Sequence, residues 1–464
     1  MAFSPASLLA QLMQFPVPRR YCVAYSGGLD SHVLLHALVQ LRDSLPCSDL
    51  HAIHINHGIH PDANAWAHHC ETVCCELRVT FDMFSVTLQR QPRHSLEALA
   101  REARYAAFAR CSHPGDLLLL AHHQDDQAET LILQLLRGSG VKGLAAMPVC
   151  NTFALGWMAR PLLDCRRSDL QAYAATQHLH WIDDPSNQDT AYDRNYLRHT
   201  IFPVLRQRWP ALDATLARVA QHQADAAVLL DVLAQQDLGD IATASATVIN
   251  IDPLQGLAPA RQRNALRYWL QHSCGLPLPN TVQLQRILNE LLPASEDATP
   301  LVHWPGAEVR RYRNQLHAMA PMRPFDPSWQ QHWDLHAPVA LPTGASLLSQ
   351  ACQGRGLRSA AIAHGVSIRF RTGGEHCRLP GRQHHHELKK LFQEWGVPTW
   401  QRDRIPLIYI GTELAQVLGY CICEPFCANA GENGIEIMSQ LGQAAIETIP
   451  ENKDNSPGCT PEFS

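Results

Sequence analysis

The chain has no apolar run near the ~18 residues that a membrane-crossing helix needs. Its opening, MAFSPASLLAQLMQFPVPRR, has no basic start, and Gln and Pro interrupt its short apolar piece. Neither a membrane span nor a secretory leader is expected. That places the protein in the cytoplasm, with its fifteen cysteines reduced and mostly buried. There is no C-x-x-C pair: Cys70 and Cys74 are four apart, and Cys421 and Cys423 are two apart. Cys421, Cys423 and Cys427, even with the run His384, His385 and His386, lack the paired spacing of a zinc site, so zinc is not expected. G-x-x-x-x-G-K-[ST] is missing, which excludes the kinase and GTPase phosphate loop. Internal repeats are absent too. Nor is the chain a polycation: 38 Lys and Arg face 43 Asp and Glu, a net charge of −5. Any grip on nucleic acid must come from local patches.

What is present is an ordinary globular composition, 46% apolar over 464 residues, long enough for two or three domains. Residues 20–165 alternate strand and helix patterns. YCVAY, LHAIHIN, VTFDMFSV and DLLLLAHH read as strands. SHVLLHALVQL, DANAWAHHCETVCCEL, SLEALAREARYAAFAR and DQAETLILQLLR read as helices. Such alternation predicts an α/β fold with a doubly wound parallel sheet, whose ligands sit at the carboxyl ends of strands. We place this domain at 1–209. A mainly helical middle domain follows at 210–325, then a Pro-rich linker of low order at 326–350. A small basic domain occupies 351–445, and a polar tail of disordered composition ends the chain at 446–464.

The segment SGGLDS, Ser26, Gly27, Gly28, Leu29, Asp30 and Ser31, stands where the first strand turns into a helix. Glycines allow a tight turn and bare N–H groups, the serines add hydroxyls, and a helix N-terminus adds its dipole. Together these predict an anion cradle. Asp30 is a poor neighbour for a bare phosphate and makes sense beside a bridging Mg²⁺.

A second constellation is AHHQDDQAETLILQLL, with His122 at a strand end and Asp125, Asp126 and Glu129 on the first helical turn. Dipole complementarity accounts for one such acid. Asp126 and Glu129, at i and i+3, form a pair able to hold a cationic substrate or a metal. Arg101 and Arg104 lie i,i+3 on their helix and taken alone would be a solvated basic face. DDPSNQDTAYDRNYLR places a turn at Asp184–Asn187, then Arg194, Asn195 and Arg198 at a helix start. His57, in HINHGIH, is by itself a structural loop histidine.

The hexapeptide resembles the pyrophosphate loop of the N-type ATP pyrophosphatases (PP-loop superfamily). The wider set HINHGIH, EALAREARY, AHHQDDQAETLILQLLRGSG, RPLLDCRRSDLQAYA and DDPSNQDTAYDRNYLR resembles the tRNA(Ile)-lysidine synthetases. RFRTGGEHCRLPGRQHHHELKKLFQEWGVPTWQRDRIPLIY resembles that family's C-terminal domain. The likeness is strong over 20–210 and 365–425 and weak between. It implies an adenine nucleotide alpha hydrolase-like first domain and a small α+β last one. It implies that Ser26 to Ser31 hold ATP, with Asp30 near Mg²⁺. His122, Asp126 and Glu129 would lie by the reacting cytosine and lysine, with Arg104 and Arg194 against the nucleotide or the reaction centre. The implied reaction adenylates C2–O of the wobble cytidine in a CAU-anticodon tRNA(Ile). Free L-lysine then displaces AMP. Monomer and homodimer both stay open.

From 355 to 404 ten Lys and Arg face four acids, with Trp395 and Trp400 interleaved, as suits an RNA backbone. Lys389, Lys390 and Arg378 are the expected tRNA contacts. Gly373 to Glu375 reads as a turn. The rival readings are a tRNA thiolase of the same superfamily, for which the paired cysteines are missing, and a tRNA- or nucleotide-binding protein with a dead site, which intact Asp30, Asp126 and Glu129 oppose.

Overall fold

The computed structural model describes residues 3–58, 60–86, 96–295, 298–363, 365–382 and 384–441. The proposed tail at 446–464 lies outside them. Two compact units, Met1–Leu230 and Asp231–Ser464, make up the chain.

The first unit is built on a six-stranded sheet: β1 (Arg20–Ala24), β2 (Leu50–Asn56), β3 (Thr80–Ser85), β4 (Asp116–Leu119), β5 (Cys150–Phe153) and β6 (Gly156–Ala159). Its order is β3-β2-β1-β4-β6-β5. All neighbours are parallel except the edge pair β5/β6, a hairpin absent from the sequence reading. β1 and β4 are apolar almost without alternation because helices cover both faces. Tyr21, Cys22, Val23, Leu117, Leu118 and Leu119 are all buried. Strand order reverses between β1 and β4, which run in register from Arg20↔Asp116 to Val23↔Leu119. A crevice therefore opens where both strands end, at Ser26 and at His122.

The second unit corrects two expectations. Its early part is helical, as Pro259–Tyr268 and Thr281–Arg286 show, but it also carries a four-stranded antiparallel sheet. The strands are Val248–Asn250, Gln315–Met319, Ala307–Tyr312 and Leu301–Trp304. Left-handed Gly306 and Arg313 make its two hairpin turns. Trp269, Ile287, Val309 and Leu316 fill the core between helices and sheet. The stretch 326–350, expected as a low-order linker, is folded. Gln330–Trp333 pairs with Val366–Arg369, and Val339–Ala340 pairs with the strand Ala345–Gln353. Its apolar residues Trp333, Leu335, Val339 and Leu341 are buried, which settles the matter energetically.

The rest is β-rich. A five-stranded and a four-stranded antiparallel sheet share a core around Leu347, Ile368 and Ile408. A two-stranded ribbon, His376–Cys377 with His386–Glu387, leads into the helix Leu388–Glu394. Gly373 and Gly374 are left-handed and the Glu375 carboxylate accepts from the N–H of Thr372 and Gly373, so this stretch is a turn as expected. The cysteines depart from expectation. Cys377 and Cys423 are joined as a disulfide, and of the free thiols only Cys22, Cys70 and Cys74 are fully buried among the described residues.

Candidate active site

The loop after β1 is braced by its own serines. Ser26 N–H donates to Ser31 Oγ at 3.2 Å, the two hydroxyls lie 3.0 Å apart, and Ser31 Oγ donates to the Gly28 carbonyl at 3.1 Å. Gly27 sits at φ +82°, and a Cβ there would come within 2.7 Å of Cys70 Sγ and Ile182 Cδ1. Only glycine fits that turn. Gly28 then starts the helix Leu29–Gln40, which has no side-chain cap, so its first N–H groups face the crevice mouth unpaired by the loop. Gly27 C=O accepts from Ile182 N–H at 3.0 Å, which fastens the loop to the segment leading towards Arg194.

Asp30 follows on the first helical turn. Burial pushes its carboxyl above the ordinary value, with His123 opposing, and its Oδ1 is buried without a hydrogen-bond partner. A buried, unpartnered carboxylate oxygen beside an anion cradle fits a divalent cation. Across from it, the helix Gln124–Leu136 is capped by His123, whose backbone N–H donates to Asp126 Oδ2 at 3.0 Å. His123 is almost wholly buried. Its Nε2 lies 3.7 Å from Asp30 Oδ2 and 3.3 Å from Asp126 Oδ2. Its Nδ1 faces Asp126 N–H at 3.4 Å, and its Nε2 faces the two acids.

His122, the residue expected here, lies next to this bridge rather than in it. Its Nδ1 is buried without a partner, and burial lowers its pKa to about 3, so it is neutral. The missed residue is His123. Histidine is an unusual helix cap, so the sequence pattern did not mark it.

Asp126 and Glu129 do come together, and two arginines hold them. Arg194 donates from Nε to Glu129 Oε2 at 2.8 Å and from Nη2 to Asp126 Oδ1 at 2.9 Å. Arg198 donates from Nε to Glu129 Oε1 at 2.7 Å, and from Nη2 to Glu129 Oε2 at 2.8 Å and to Asp126 Oδ1 at 3.0 Å. Burial would raise the Asp126 carboxyl, but His123 and Arg194 hold it below the carboxylate range. The arginines stand one turn apart on a helical run of Asp193–Tyr196, the π-helical Leu197–Ile201 and Phe202–Arg208. Pro203 lacks the N–H that would continue an α-helical ladder at this point. Asn195 braces the preceding turn by donating to the Ser186 and Asp189 carbonyls at 2.9 Å each. Three carboxylates, Asp30, Asp126 and Glu129, thus meet two guanidiniums, which leaves one negative charge for a further cation.

Asp125 borders the cluster: its Oδ1 lies 3.8 Å from His123 Nδ1, and it pairs with Arg206 at 2.9 Å and accepts from Arg167 N–H, a bracing role. Other candidates stand apart. Arg104 is exposed on the helix Leu96–Arg110, and its charge acts on His57, whose pKa burial and Arg104 lower to about 4. In the second unit Arg378 pairs with Glu424 at 2.9 Å, while Lys389 and Lys390 are exposed.

A phosphate loop without a lysine, at the switch point of a parallel sheet and facing a carboxylate pair, defines a PP-loop nucleotide-using domain. Residues 4–205 match the family described as PP-loop domain. Residues 249–317 match the TilS substrate binding domain, and 366–438 the TilS substrate C-terminal domain. The chain is 44% identical over 439 residues to the tRNA(Ile)-lysidine synthase of Coxiella burnetii, an alignment that covers 94% of this chain and 97% of that one. It is 44% identical over 406 residues to that of Methylococcus capsulatus, 86% and 91% of the two chains. A crystal structure of a TilS C-terminal domain aligns with 24% of this chain and 98% of its own, with 21% identity and a TM-score of 0.21. The chain belongs to the tRNA(Ile)-lysidine synthase family. No helix among the described residues is long and apolar enough to cross a membrane.

Proposed function

We propose that this enzyme uses ATP to join free L-lysine to C2 of the wobble cytidine in a CAU-anticodon tRNA(Ile), in the cytoplasm, releasing pyrophosphate and AMP. The cytidine O2 attacks the α-phosphorus and pyrophosphate leaves. The lysine ε-amine then bonds to C2, the C2–O bond breaks, and AMP departs with the oxygen. Adenylation is needed because an amide-like carbonyl oxygen is a poor leaving group.

The observation that carries this reading is the crevice in which the SGGLDS loop, with Asp30, faces His123, Asp126 and Glu129. The N–H groups and hydroxyls of Ser26 to Ser31 bind the phosphates. Asp30 would hold Mg²⁺ through its unpartnered Oδ1, and the ion's charge offsets that of the phosphates. Arg194 and Arg198 clamp the acid pair and set its orientation. Lysine must shed a proton before attack, since its free pKa is ~10.4, and a histidine or carboxylate of the crevice would take it. Arg104, on the helix Leu96–Arg110 and felt by His57, would lie against the nucleotide or the reaction centre. Lys389, Lys390 and Arg378 contact tRNA phosphates.

The test is a filter assay with radiolabelled L-lysine, ATP, magnesium and tRNA(Ile) transcript. Lysine-dependent label on the tRNA, with equal AMP release, is expected; no AMP release refutes the reading. Asp126→Ala is expected to abolish lysine incorporation while ATP–pyrophosphate exchange persists with tRNA present. Equal loss of both would deny Asp126 a role in the second step.

A further inference from the structure

Sequence alone left Cys421, Cys423 and Cys427 without a partner set, so zinc was not expected there. The fold brings that partner from far along the chain. Cys377, on the two-stranded ribbon, meets Cys421 and Cys423 at the edge of the five-stranded sheet. The ligand atoms of all three lie within 4.8 Å of one another, and Cys377 Sγ is 3.8 Å from Cys421 Sγ. Thiolates on tetrahedral zinc, each at ≈ 2.3 Å from the metal, stand about 3.8 Å apart. Cys377 and Cys423 are almost wholly buried and Cys421 is half-buried, so the cluster is closed on most sides.

We propose that the reduced protein binds one zinc ion through Cys377, Cys421 and Cys423. His386, directly opposite Cys377 in the ribbon register but outside the three-sulfur cluster, is the side chain that would turn in as the fourth ligand. The disulfide between Cys377 and Cys423 is the metal-free, oxidised state of the same pair. A thiol reductant supplies two electrons to cleave it and is itself oxidised to a disulfide. Zinc then forms three Zn–S bonds and displaces three thiol protons.

The ion has structural work to do. Cys377 lies 44 residues from Cys421, and the segment between carries the exposed pair Lys389 and Lys390 on the helix Leu388–Glu394. The same junction is already tied by Glu424 N–H to the Arg378 carbonyl at 2.8 Å and by Arg378 to Glu424 at 2.9 Å. Zinc would lock the ribbon, and hence the basic helix, to the sheet.

The experiment uses the full chain, purified with a phosphine reductant and exposed to zinc. Elemental analysis is expected to find about one zinc per chain. Cobalt(II) in its place is expected to give intense sulfur-to-cobalt charge-transfer and tetrahedral d–d absorption. Cys421→Ser, at the half-buried ligand, is expected to lose the metal and both bands, whereas Cys47→Ser, outside the cluster, keeps them. His386→Ala is expected to shift the d–d bands; unchanged bands would remove the histidine from the ligand set. Circular dichroism of each variant separates metal loss from misfolding. Reduced, folded wild-type protein that takes up no zinc overturns the site, as does equal uptake by folded Cys421→Ser.

Discussion

The crevice and the basic C-terminal segment are both rich in arginine, yet they use it in opposite ways. In the crevice Arg194 and Arg198 turn their Nε and Nη2 donors onto buried carboxylates, with Glu129 only 1% exposed. In the C-terminal segment Arg371, Arg378 and Arg382 each meet an acid at the surface, and the two lysines are left to solvent. Buried charges must be matched one for one, because an unmatched one costs several kcal/mol. Surface charges carry no such penalty and can be held ready for a polyanion. On the proposed reading, chemistry would fall where the ions are locked, and docking where they are loose.

The sharpest way to break this contrast is Glu129→Ala, which leaves two guanidiniums to share the single carboxylate of Asp126. It is expected to cost about 3–5 kcal/mol in urea unfolding, besides abolishing lysine incorporation. Acid comes next. His32, His57 and His122 are held neutral, mainly by burial, at about 4, 4 and 3. The unfolded chain takes up protons near 6.5 while the folded chain does not. Stability is therefore full above that value and falls as the pH drops from about 6.5 towards 4. Hydrogen-exchange protection of the β1 and β4 amides, relative to the intrinsic rate at each pH, should fall across that window. The lysines test the other half: Lys389→Ala with Lys390→Ala is expected to weaken tRNA binding roughly tenfold and to lower the salt slope by about 2. Its melting temperature should not move. The smallest effect belongs to Arg382→Ala, which removes an exposed 3.3 Å pair with Glu394 and should leave stability unchanged.

Local chemistry was legible in the sequence and long-range pairing was not. SGGLDS declared itself because its turn, hydroxyls and helix start lie within six adjacent residues. Asp126 and Glu129 were visible as a pair by helical spacing alone. Arg198 was seen only as a helix-start residue, since its tie to Glu129 spans 69 positions. Cys377 was hidden from Cys421 by the same kind of distance. The choice of His122 over His123 turned on one residue of register at a strand end, where the chain leaves the sheet and the cap begins. The β5/β6 hairpin has strands of four residues, too short for periodicity to register. The middle sheet did leave signals, Pro305–Gly306 and Arg313–Asn314 at its turns, but the neighbouring helical patterns outweighed them.

The single amide contact from Ile182 to Gly27 has a wider bearing. It ties the SGGLDS loop and the segment that carries the arginine clamp into one mechanical piece. A change that loosens the chain between Ile182 and Arg194 would be felt at both ends together, so variants there should lose adenylation and aminolysis in step, never one alone.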